Sequence, residues 1–278
     1  MRVSYSKIGG LRMTLNIAVC IKPVPDSRYY NKIIIDPKTK CVNRDEIETV
    51  INAMDKNAVE AAIKLKEKNG GKITIFSMAP DNAVKNLRKV LAMGADEAYL
   101  CSDKALGGSD TLVTSYVLAK AIQKTGNYDV IILGNQSEDG GTAQVPSQLG
   151  EWLNIPHFVN VKSLELEVNK IVAETKTENG SIKFKVRLPA LFGVIKDINE
   201  PRIPNVMGVL KAKNKPLTIF RATDLDLDEG KIGLKGSPTQ VGEIFSPDMK
   251  RKSQKIEGAI DEIAEKIIEV IKRAGIGL

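Results

Sequence analysis

Histidine and cysteine are scarce in this sequence of 278 residues, which has one histidine, His157, and three cysteines. A histidine-based triad or a metal site needs partner side chains that a single histidine does not have, so His157 is not predicted to be catalytic. The cysteines, Cys20, Cys41 and Cys101, are odd in number and form no C-x-x-C pair. Their spacing argues against a disulfide framework and a zinc site, and it favours a reducing compartment, which we expect to be the cytoplasm.

Long apolar runs and aromatic residues are also scarce. No apolar run approaches the length of about 20 residues that crosses a bilayer, so no membrane anchor is predicted. Residues 1–14 lack the apolar core of a signal peptide and are expected to be a loose extension outside the fold. Only 5% of the residues are aromatic, and the basic residues behind the net charge of +7 are interleaved with 34 acidic ones. This composition argues against nucleic acid as a partner and favours a solvated surface or a docking face for an acidic protein.

Apolar runs alternate with helical patterns from residue 15 onwards. The runs are short and continuous, as expected for strands of a parallel sheet that helices cover on both faces. They are Leu15–Ile21, Lys72–Phe76, Glu97–Cys101 and Val130–Leu133, and helical patterns start near residues 55, 81, 111 and 142. With right-handed crossovers, this order predicts an α/β fold with a doubly wound, mostly parallel sheet, formed by residues 15–216.

Two stretches have the alternating pattern of antiparallel strands. Residues 158–174 and 181–188 alternate apolar and polar side chains around the turn residues Glu178-Asn179-Gly180, which predicts an antiparallel hairpin. Residues 31–50 contain short extended segments and are expected to form a second hairpin over the sheet.

The C-terminal part of the chain has weak periodicity. Residues 217–255 carry many glycine and turn residues and too little apolar surface to fold alone, and helical spacing resumes only at residues 256–271. We therefore expect residues 217–278 to form an extended arm and helix that lie on another surface.

The segment Tyr128–Leu153 joins a predicted strand to a helix through a turn rich in glycine. Gly134, Gly140 and Gly141 allow the backbone to turn tightly, and Thr142 is expected to cap the new helix. The free N–H groups and positive dipole end of a helix attract an anion, most simply a phosphate or a pyrophosphate. Because glycines between a strand and a helix are also ordinary turn chemistry, the segment indicates a nucleotide without requiring one.

Other strand ends carry side chains that suit the same ligand. Cys20 and Lys22 end the first strand, and Lys22 offers charge to a phosphate. Asp55 is expected to cap the following helix, which leaves Asn52 freer to meet a ligand, and Asp139 is expected to cap the next helix or to meet a ribose or a backbone N–H. Ligands bind outside the carboxyl ends of strands in open α/β sheets, so the loops after the first, second and fourth strands are expected to converge at one crevice. No catalytic set of side chains stands out, and any chemistry is expected to come from the ligand.

Five stretches of the sequence match a known family in the right order. They are AVCIKPVPD (Ala18–Asp26), NAMDKNAVEAAIKLKE (Asn52–Glu67), VLAMGAD (Val90–Asp96), LGNQSEDGGTAQVPSQ (Leu133–Gln148) and NEPRIPNVMGVLKAK (Asn199–Lys213). With these stretches the chain resembles the β subunit of electron-transfer flavoproteins over Leu15–Lys272. The resemblance implies an adenine-nucleotide α-hydrolase-like sheet, a heterodimer with a larger α subunit, and a C-terminal arm that wraps this partner.

The resemblance also implies which nucleotide is bound. Ordinary β subunits of this family hold a structural AMP, whereas those of electron-bifurcating members hold a second FAD that takes a hydride from NADH and splits the electrons between two acceptors. Val24-Pro25-Asp26 and Thr142-Ala143-Gln144-Val145 resemble the bifurcating pattern. We therefore expect FAD with NADH as the electron donor, a flavin-containing dehydrogenase as a partner and ferredoxin as an acceptor through the complex, with AMP in the same site as the alternative.

Positions that match the family's motif are expected to form the cofactor site and a docking site. The cofactor-binding residues implied in this way are Ala18, Cys20, Lys22, Asn52, Ser77, Met78, Ala79, Asp110, Thr111, Gly134, Asn135, Gln136, Asp139, Gly140, Gly141, Thr142, Ala143, Gln144 and Val145. Val206 matches a leucine with which the family's recognition loop anchors into a client dehydrogenase, so Val206 and Met207 are expected to dock this partner.

Overall fold

The computed structural model of the chain describes residues 14–28, 48–240, 242, 253 and 255–275. The chain divides into two compact units, Met1–Gly242 and Glu243–Leu278. The expected N-terminal extension and the hairpin expected over residues 31–50 lie outside the described residues, except for Thr14 and residues 48–50.

A nine-stranded sheet forms the centre of the first unit in the described part of the chain. Its strands run in the order β11-β5-β4-β1-β6-β10-β7-β8-β9, and all neighbours from β11 to β7 are parallel. The strand bounds are β1 Leu15–Cys20, β2 Pro23–Pro25, β3 Thr49–Ile51, β4 Gly71–Met78, β5 Glu97–Cys101, β6 Val130–Gly134, β7 His157–Glu167, β8 Lys170–Thr177, β9 Gly180–Arg187, β10 Ala190–Val194 and β11 Leu217–Phe220. β2 and β3 form a separate antiparallel pair. The prediction of a mostly parallel α/β sheet is confirmed.

Helices cover both faces of this sheet. Successive side chains of a strand point to opposite faces, and in β1 Ile17 and Val19 pack with the first two helices, whereas Ala18 and Cys20 pack with the next two. The helix bounds are α1 Ala53–Asn69, α2 Val84–Met93, α3 Thr111–Thr125, α4 Val145–Leu153, α5 Val206–Ala212, α6 Gly233–Gly236 and α7 Ile260–Arg273. The fold is therefore doubly wound, as the alternation of strands and helices predicts.

The antiparallel region contains one more strand than the sequence predicts. Residues 158–174, expected to be one strand, are divided between β7 and β8, which pair antiparallel from Val161↔Thr175 to Glu167↔Lys170. The chain reverses at Val168, whose φ is 54°. A β-branched residue is unusual in this left-handed conformation, so the alternating pattern of residues 158–174 predicts one continuous strand across the turn. The predicted turn at Glu178-Asn179 does join β8 to β9.

The first part of the expected C-terminal arm belongs to the first unit. β11 pairs in parallel with β5, and the ring of Phe220 stacks on that of Tyr99 with 5.1 Å between centroids. Beyond it, Leu225 and Ile232 are buried in the apolar cluster that contains α3. The sequence gives little sign of this because β11 has only four residues. In the second unit, α7 is an amphipathic helix with acidic residues in its first turn and basic residues in its last.

Helices long and apolar enough to cross a membrane are not found among the described residues.

Candidate nucleotide-binding site

The sheet has a switch point between β1 and β6. From β1 the chain moves outward to β4 and β5, and it then returns to place β6 on the opposite side of β1. Where the strand order reverses in this way, the two following loops diverge and leave a crevice at the carboxyl ends of the strands. The crevice between β1 and β6 is bordered by the loop that starts at Ile21 and by the glycine-rich loop that follows Gly134.

Asp55 joins the two strand ends beneath this crevice. Its carboxylate accepts hydrogen bonds from the backbone N–H of Lys22 at 2.7 Å and of Gly134 at 3.0 Å. A Cβ atom at residue 134 would collide with the Asp55 carboxylate and with Met54, so this position requires glycine. The expectation that Asp55 caps α1 is wrong, because the helix begins at Ala53 and Asp55 lies within its first turn.

Asn52 holds the glycine-rich loop from the cap position of α1. Its side-chain Nδ2 donates to the carbonyl of Gln136 at 2.9 Å, and its Oδ1 accepts from the N–H of Glu138 at 3.1 Å. The side chain is buried, and both of its polar atoms are used within the protein. Asn52 is therefore less free to meet a ligand than the sequence suggests, and it shapes the loop directly.

Lys22 and Asp139 face each other across the crevice. The Nζ atom of Lys22 lies 2.6 Å from Asp139 Oδ1 and 3.3 Å from Ser137 Oγ. Burial acts to raise the pKa of Asp139, but the hydrogen bond and charge of Lys22, together with bonds from Ser137 and Gly140, hold that pKa below its ordinary value. Of the three roles expected for Asp139, the contact with a backbone N–H is the one observed, because its Oδ1 accepts from Gly140 N at 2.8 Å.

The helix after the glycine-rich loop begins later than predicted. Its first residue is Val145, so Thr142 is not its cap. Gly141 and Ala143 have φ values of 60° and 53°, and a residue in this left-handed region interrupts a right-handed helix. Pro146 then suits the first turn because it has no N–H to leave unpaired. Among the described residues no side chain caps α4. The first N–H groups of a helix without a side-chain cap are free to bind an anion.

The start of α3 borders the same loop. Thr111 Oγ1 donates to Gln144 Oε1 at 2.8 Å and thereby links the starts of α3 and α4. The carboxylate of Asp110 caps α3 by accepting from Val113 N at 3.1 Å, and its other oxygen accepts from Thr239 N at 3.0 Å. Asp110 is thus occupied by contacts within the first unit.

The remaining expected residues differ in burial. Ala18 and Cys20 lie inside β1 with buried side chains, and burial raises the pKa of the Cys20 thiol. Asn135 is also buried, and its Oδ1 accepts from Asn160 N at 3.0 Å. Ser77 is fully buried at the end of β4, while Met78 and Ala79 beside it are half-buried. The exposed members are Gln136, Gly140, Gly141, Thr142 and Gln144.

Two residues beside the crevice are not predicted from the sequence to form it. Asp55 is expected to cap a helix, and no role is predicted for Ser137. The buried Oε1 of Gln148 has no hydrogen-bond partner among the described residues, and Ser77 Oγ shares this property. The contacts of Asp55 and Ser137 join segments that meet only in the folded chain, so the local sequence offers no signal for them.

Comparisons with known proteins agree with this architecture. A family model described as the electron transfer flavoprotein domain matches residues 39–225. The chain belongs to the electron-transfer flavoprotein family. The electron transfer flavoprotein subunit beta of Thermoanaerobacterium thermosaccharolyticum is 43% identical over 256 residues, which are 92% of this chain and 97% of that protein. The subunit beta of Megasphaera elsdenii is 39% identical, with 91% and 98% covered.

A third relative comes from a named enzyme complex. Subunit CarD of the caffeyl-CoA reductase–Etf complex of Acetobacterium woodii is 39% identical over 260 residues, which are 93% of this chain and 98% of that protein. The match to β subunits over nearly the whole chain confirms the resemblance inferred from the five sequence stretches.

In this family member, a second region projects apolar side chains from the surface. Val206 is 77% exposed and Met207 is 59% exposed at the start of α5, and Ile203 just before them is 91% exposed. Asn205 caps the helix by accepting from Gly208 N at 2.7 Å. Residues 199–212, called the docking segment below, therefore present a group of exposed apolar side chains.

The docking segment is fastened to α1. Asn57 Nδ2 donates to the carbonyl of Asn199 at 2.6 Å, and Asn199 Nδ2 donates back to the carbonyl of Asn57 at 3.0 Å. The Arg202 guanidinium binds both Glu60, at 2.8 Å, and Glu67, at 2.6 Å. The helix whose first turn holds the crevice thus also holds the docking segment.

Proposed function

We propose that this chain is the β subunit of an electron-bifurcating electron-transfer flavoprotein and that it binds FAD in the crevice between β1 and β6. In the proposed complex, NADH delivers a hydride at this site. Electrons then pass through the flavin of the α subunit to a partner dehydrogenase, and to ferredoxin through the complex.

The observation that carries this proposal is the geometry of the loop between β6 and α4. The loop contains Gly141, which has a positive φ, and it ends at a helix N-terminus that has no side-chain cap among the described residues. Lys22, from the loop after β1, contacts Asp139 of this loop at the switch point of the parallel sheet. A helix N-terminus supplies N–H groups and partial positive charge to a phosphate, and glycine lets the backbone approach it closely. A Cβ atom built at Gly141 would meet nothing within 4 Å, so the loop has open space beside it.

The residues present fit a diphosphate-bearing nucleotide. The first N–H groups of α4 and the Lys22 ammonium would meet the phosphates, and Ser77 Oγ is a buried hydroxyl that still lacks a partner among the described residues. FAD held there would supply hydride acceptance and single-electron transfer. The chain's own residues would bind it and orient it, and this is the role that the crevice supports.

Two observations favour FAD over AMP. Val24-Pro25-Asp26 and Thr142-Ala143-Gln144-Val145 resemble the bifurcating members of the family. The relative CarD, whose name places it in a caffeyl-CoA reductase–Etf complex, matches nearly the whole chain. AMP in the same crevice, in a carrier that does not bifurcate, is the second candidate, because an AMP phosphate would use the same N–H groups.

The proposed partners are an α subunit and a flavin-containing dehydrogenase. An α subunit would complete the heterodimer, with the part of the C-terminal arm beyond the first unit, including α7, lying on it. A flavin-containing dehydrogenase would dock at Val206 and Met207, whose exposed side chains are the kind of apolar anchor that a protein interface buries.

Nucleotide analysis of the purified heterodimer tests this proposal. The complex is denatured, and the released FAD and AMP are separated and quantified against protein. Two FAD per heterodimer is the expected result. One FAD with one AMP would support the second candidate, and a heterodimer without flavin would contradict both.

A further inference from the structure

Asp55 is a buried carboxylate that joins two parallel strands at their carboxyl ends. It is 5% exposed and accepts from Lys22 N and Gly134 N, which lie 112 residues apart in sequence. These two N–H groups begin the two loops that border the crevice. Neither loop can move away from the other at this point without breaking a bond to Asp55.

The surroundings of Asp55 give its charge little direct compensation. From β1, the Lys22 ammonium attracts it but hydrogen-bonds to Asp139 and Ser137, and the Cys20 thiol faces it without charge. From its own helix, the Asn52 side chain bonds to it, and β6 contributes only the Gly134 N–H. Burial therefore outweighs these bonds and raises the pKa of Asp55 to about 7.

The bridge requires two acceptor oxygens. A carboxylate accepts with both oxygens and so bonds to the N–H groups of Lys22 and Gly134 at the same time. The amide of asparagine has a similar shape but only one acceptor oxygen, and its NH2 group would face an N–H donor. Asp55→Asn should therefore break one of the two bonds.

We propose that Asp55 is a positioning residue for the nucleotide: its carboxylate holds the loops after β1 and β6 together, and loss of either bond loosens both loops and speeds release of the nucleotide. This inference rests on the proposed nucleotide site. It adds to that site a residue that need not touch the ligand.

A second carboxylate on the same two strands provides a matched control. Asp129 Oδ2 accepts from Asn16 N at 2.8 Å and so joins β1 to the residue before β6 at their amino ends. The bond has the same chemistry and joins the same strands, but it lies at the edge of the sheet opposite the crevice. Asp129→Asn should therefore weaken the sheet without changing the crevice.

The first measurement is the release rate of FAD from the full heterodimer at one fixed pH, followed by the fluorescence of free FAD, with AMP release followed by chromatography. For Asp55→Asn we expect release about five-fold faster than for the unsubstituted complex, the size of one lost hydrogen bond. Asp129→Asn should release the nucleotide at the rate of the unsubstituted complex. An unchanged rate in Asp55→Asn, or equal acceleration in both variants, would overturn the inference.

The second measurement does not need a bound nucleotide. Amide hydrogen exchange of the full complex, corrected for intrinsic rates, should show that the peptides containing Lys22 and Gly134 lose protection in Asp55→Asn and that the peptide containing Asn16 does not, whereas Asp129→Asn should show the reverse. Equal loss of protection at both edges of the sheet in Asp55→Asn would overturn the role of Asp55. A complex that holds neither FAD nor AMP would contradict the proposed function, and the exchange experiment would still decide the role of Asp55.

Discussion

The crevice and the docking segment are both attached to α1, but by different chemistry. At the start of the helix, the buried groups of Asn52 and Asp55 accept and donate bonds to backbone atoms of the crevice loops. Further along the helix, Glu60 and Glu67 hold Arg202 of the docking segment in partly exposed ion pairs. Bonds from buried groups respond to small steric changes and to proton uptake, whereas partly exposed ion pairs respond to salt. Nucleotide retention and partner docking should therefore be separable by substitution.

The largest effect is expected from Gly134→Ala, which acts at the crevice end alone. The added Cβ would collide with the Asp55 carboxylate in a buried position, so we expect about 1–3 kcal/mol lower free energy of unfolding and loss of the nucleotide. Chemical denaturation and nucleotide content measure the two effects. Gly242→Ala is the control, because it lies outside the crevice loops and its Cβ would meet nothing within 4 Å. Equal losses in both variants would show that the Asp55 contact is not the cause.

The pH dependence of stability is the next largest expected effect. Because burial raises the pKa of Asp55 from its ordinary value near 4 to about 7, the folded chain binds more protons than the unfolded chain between these values. The contribution of Asp55 to stability is therefore present at low pH and is lost as pH rises through this window, by roughly 2–4 kcal/mol. The difference in free energy of unfolding between the unsubstituted chain and Asp55→Asn should change with pH from 4.5 to 8. A constant difference would contradict the raised pKa.

Arg202→Ala tests the docking end of α1. It leaves the Glu60 side chain, which is 4% exposed, without its cation, and we expect about 2 kcal/mol lower free energy of unfolding because Arg202 itself is partly exposed. Electron delivery to the dehydrogenase should slow, and nucleotide content should stay the same. Arg221→Ala is a matched control, since it removes a guanidinium–carboxylate pair with Asp81 that is exposed on both sides. Loss of nucleotide from Arg202→Ala would show that the two regions are not separable.

The smallest effect on stability is expected from Val206→Ala. The side chain is 77% exposed, so the free energy of unfolding should change by less than about 0.5 kcal/mol, whereas transfer to the dehydrogenase should slow at unchanged flavin content. Steady-state reduction of the dehydrogenase measures this. Val168→Ala, at an 88% exposed valine in the turn between β7 and β8, should leave transfer unchanged. Flavin loss from Val206→Ala, or equal slowing in both variants, would remove the docking role.

The sequence predicts the parts of the fold that local patterns determine. The buried run Val130–Leu133 and the glycines after it locate β6 and the crevice, because a continuous apolar run and a break in chirality are both local signals. The sequence does not reveal that Asp55 binds Gly134, because this bond joins residues 79 positions apart. It also misplaces the start of α4 by three residues, since Ala143 adopts a left-handed conformation that alanine rarely shows.

For the docking segment, too, the sequence predicts some features and not others. The family resemblance selects Val206 and Met207 as docking residues, and both side chains are exposed. The fastening of the segment by Asn57 and Arg202 is not predicted, because α1 and the segment are about 140 residues apart and meet only once the sheet has formed.

The most direct test of the central claim is an experimental structure of the heterodimer with its bound nucleotide. The account predicts a diphosphate against the first N–H groups of α4, with Lys22 beside it and Asp55 bonded to both strand ends below. A crevice between β1 and β6 filled by protein side chains, with the nucleotide bound elsewhere, would contradict it.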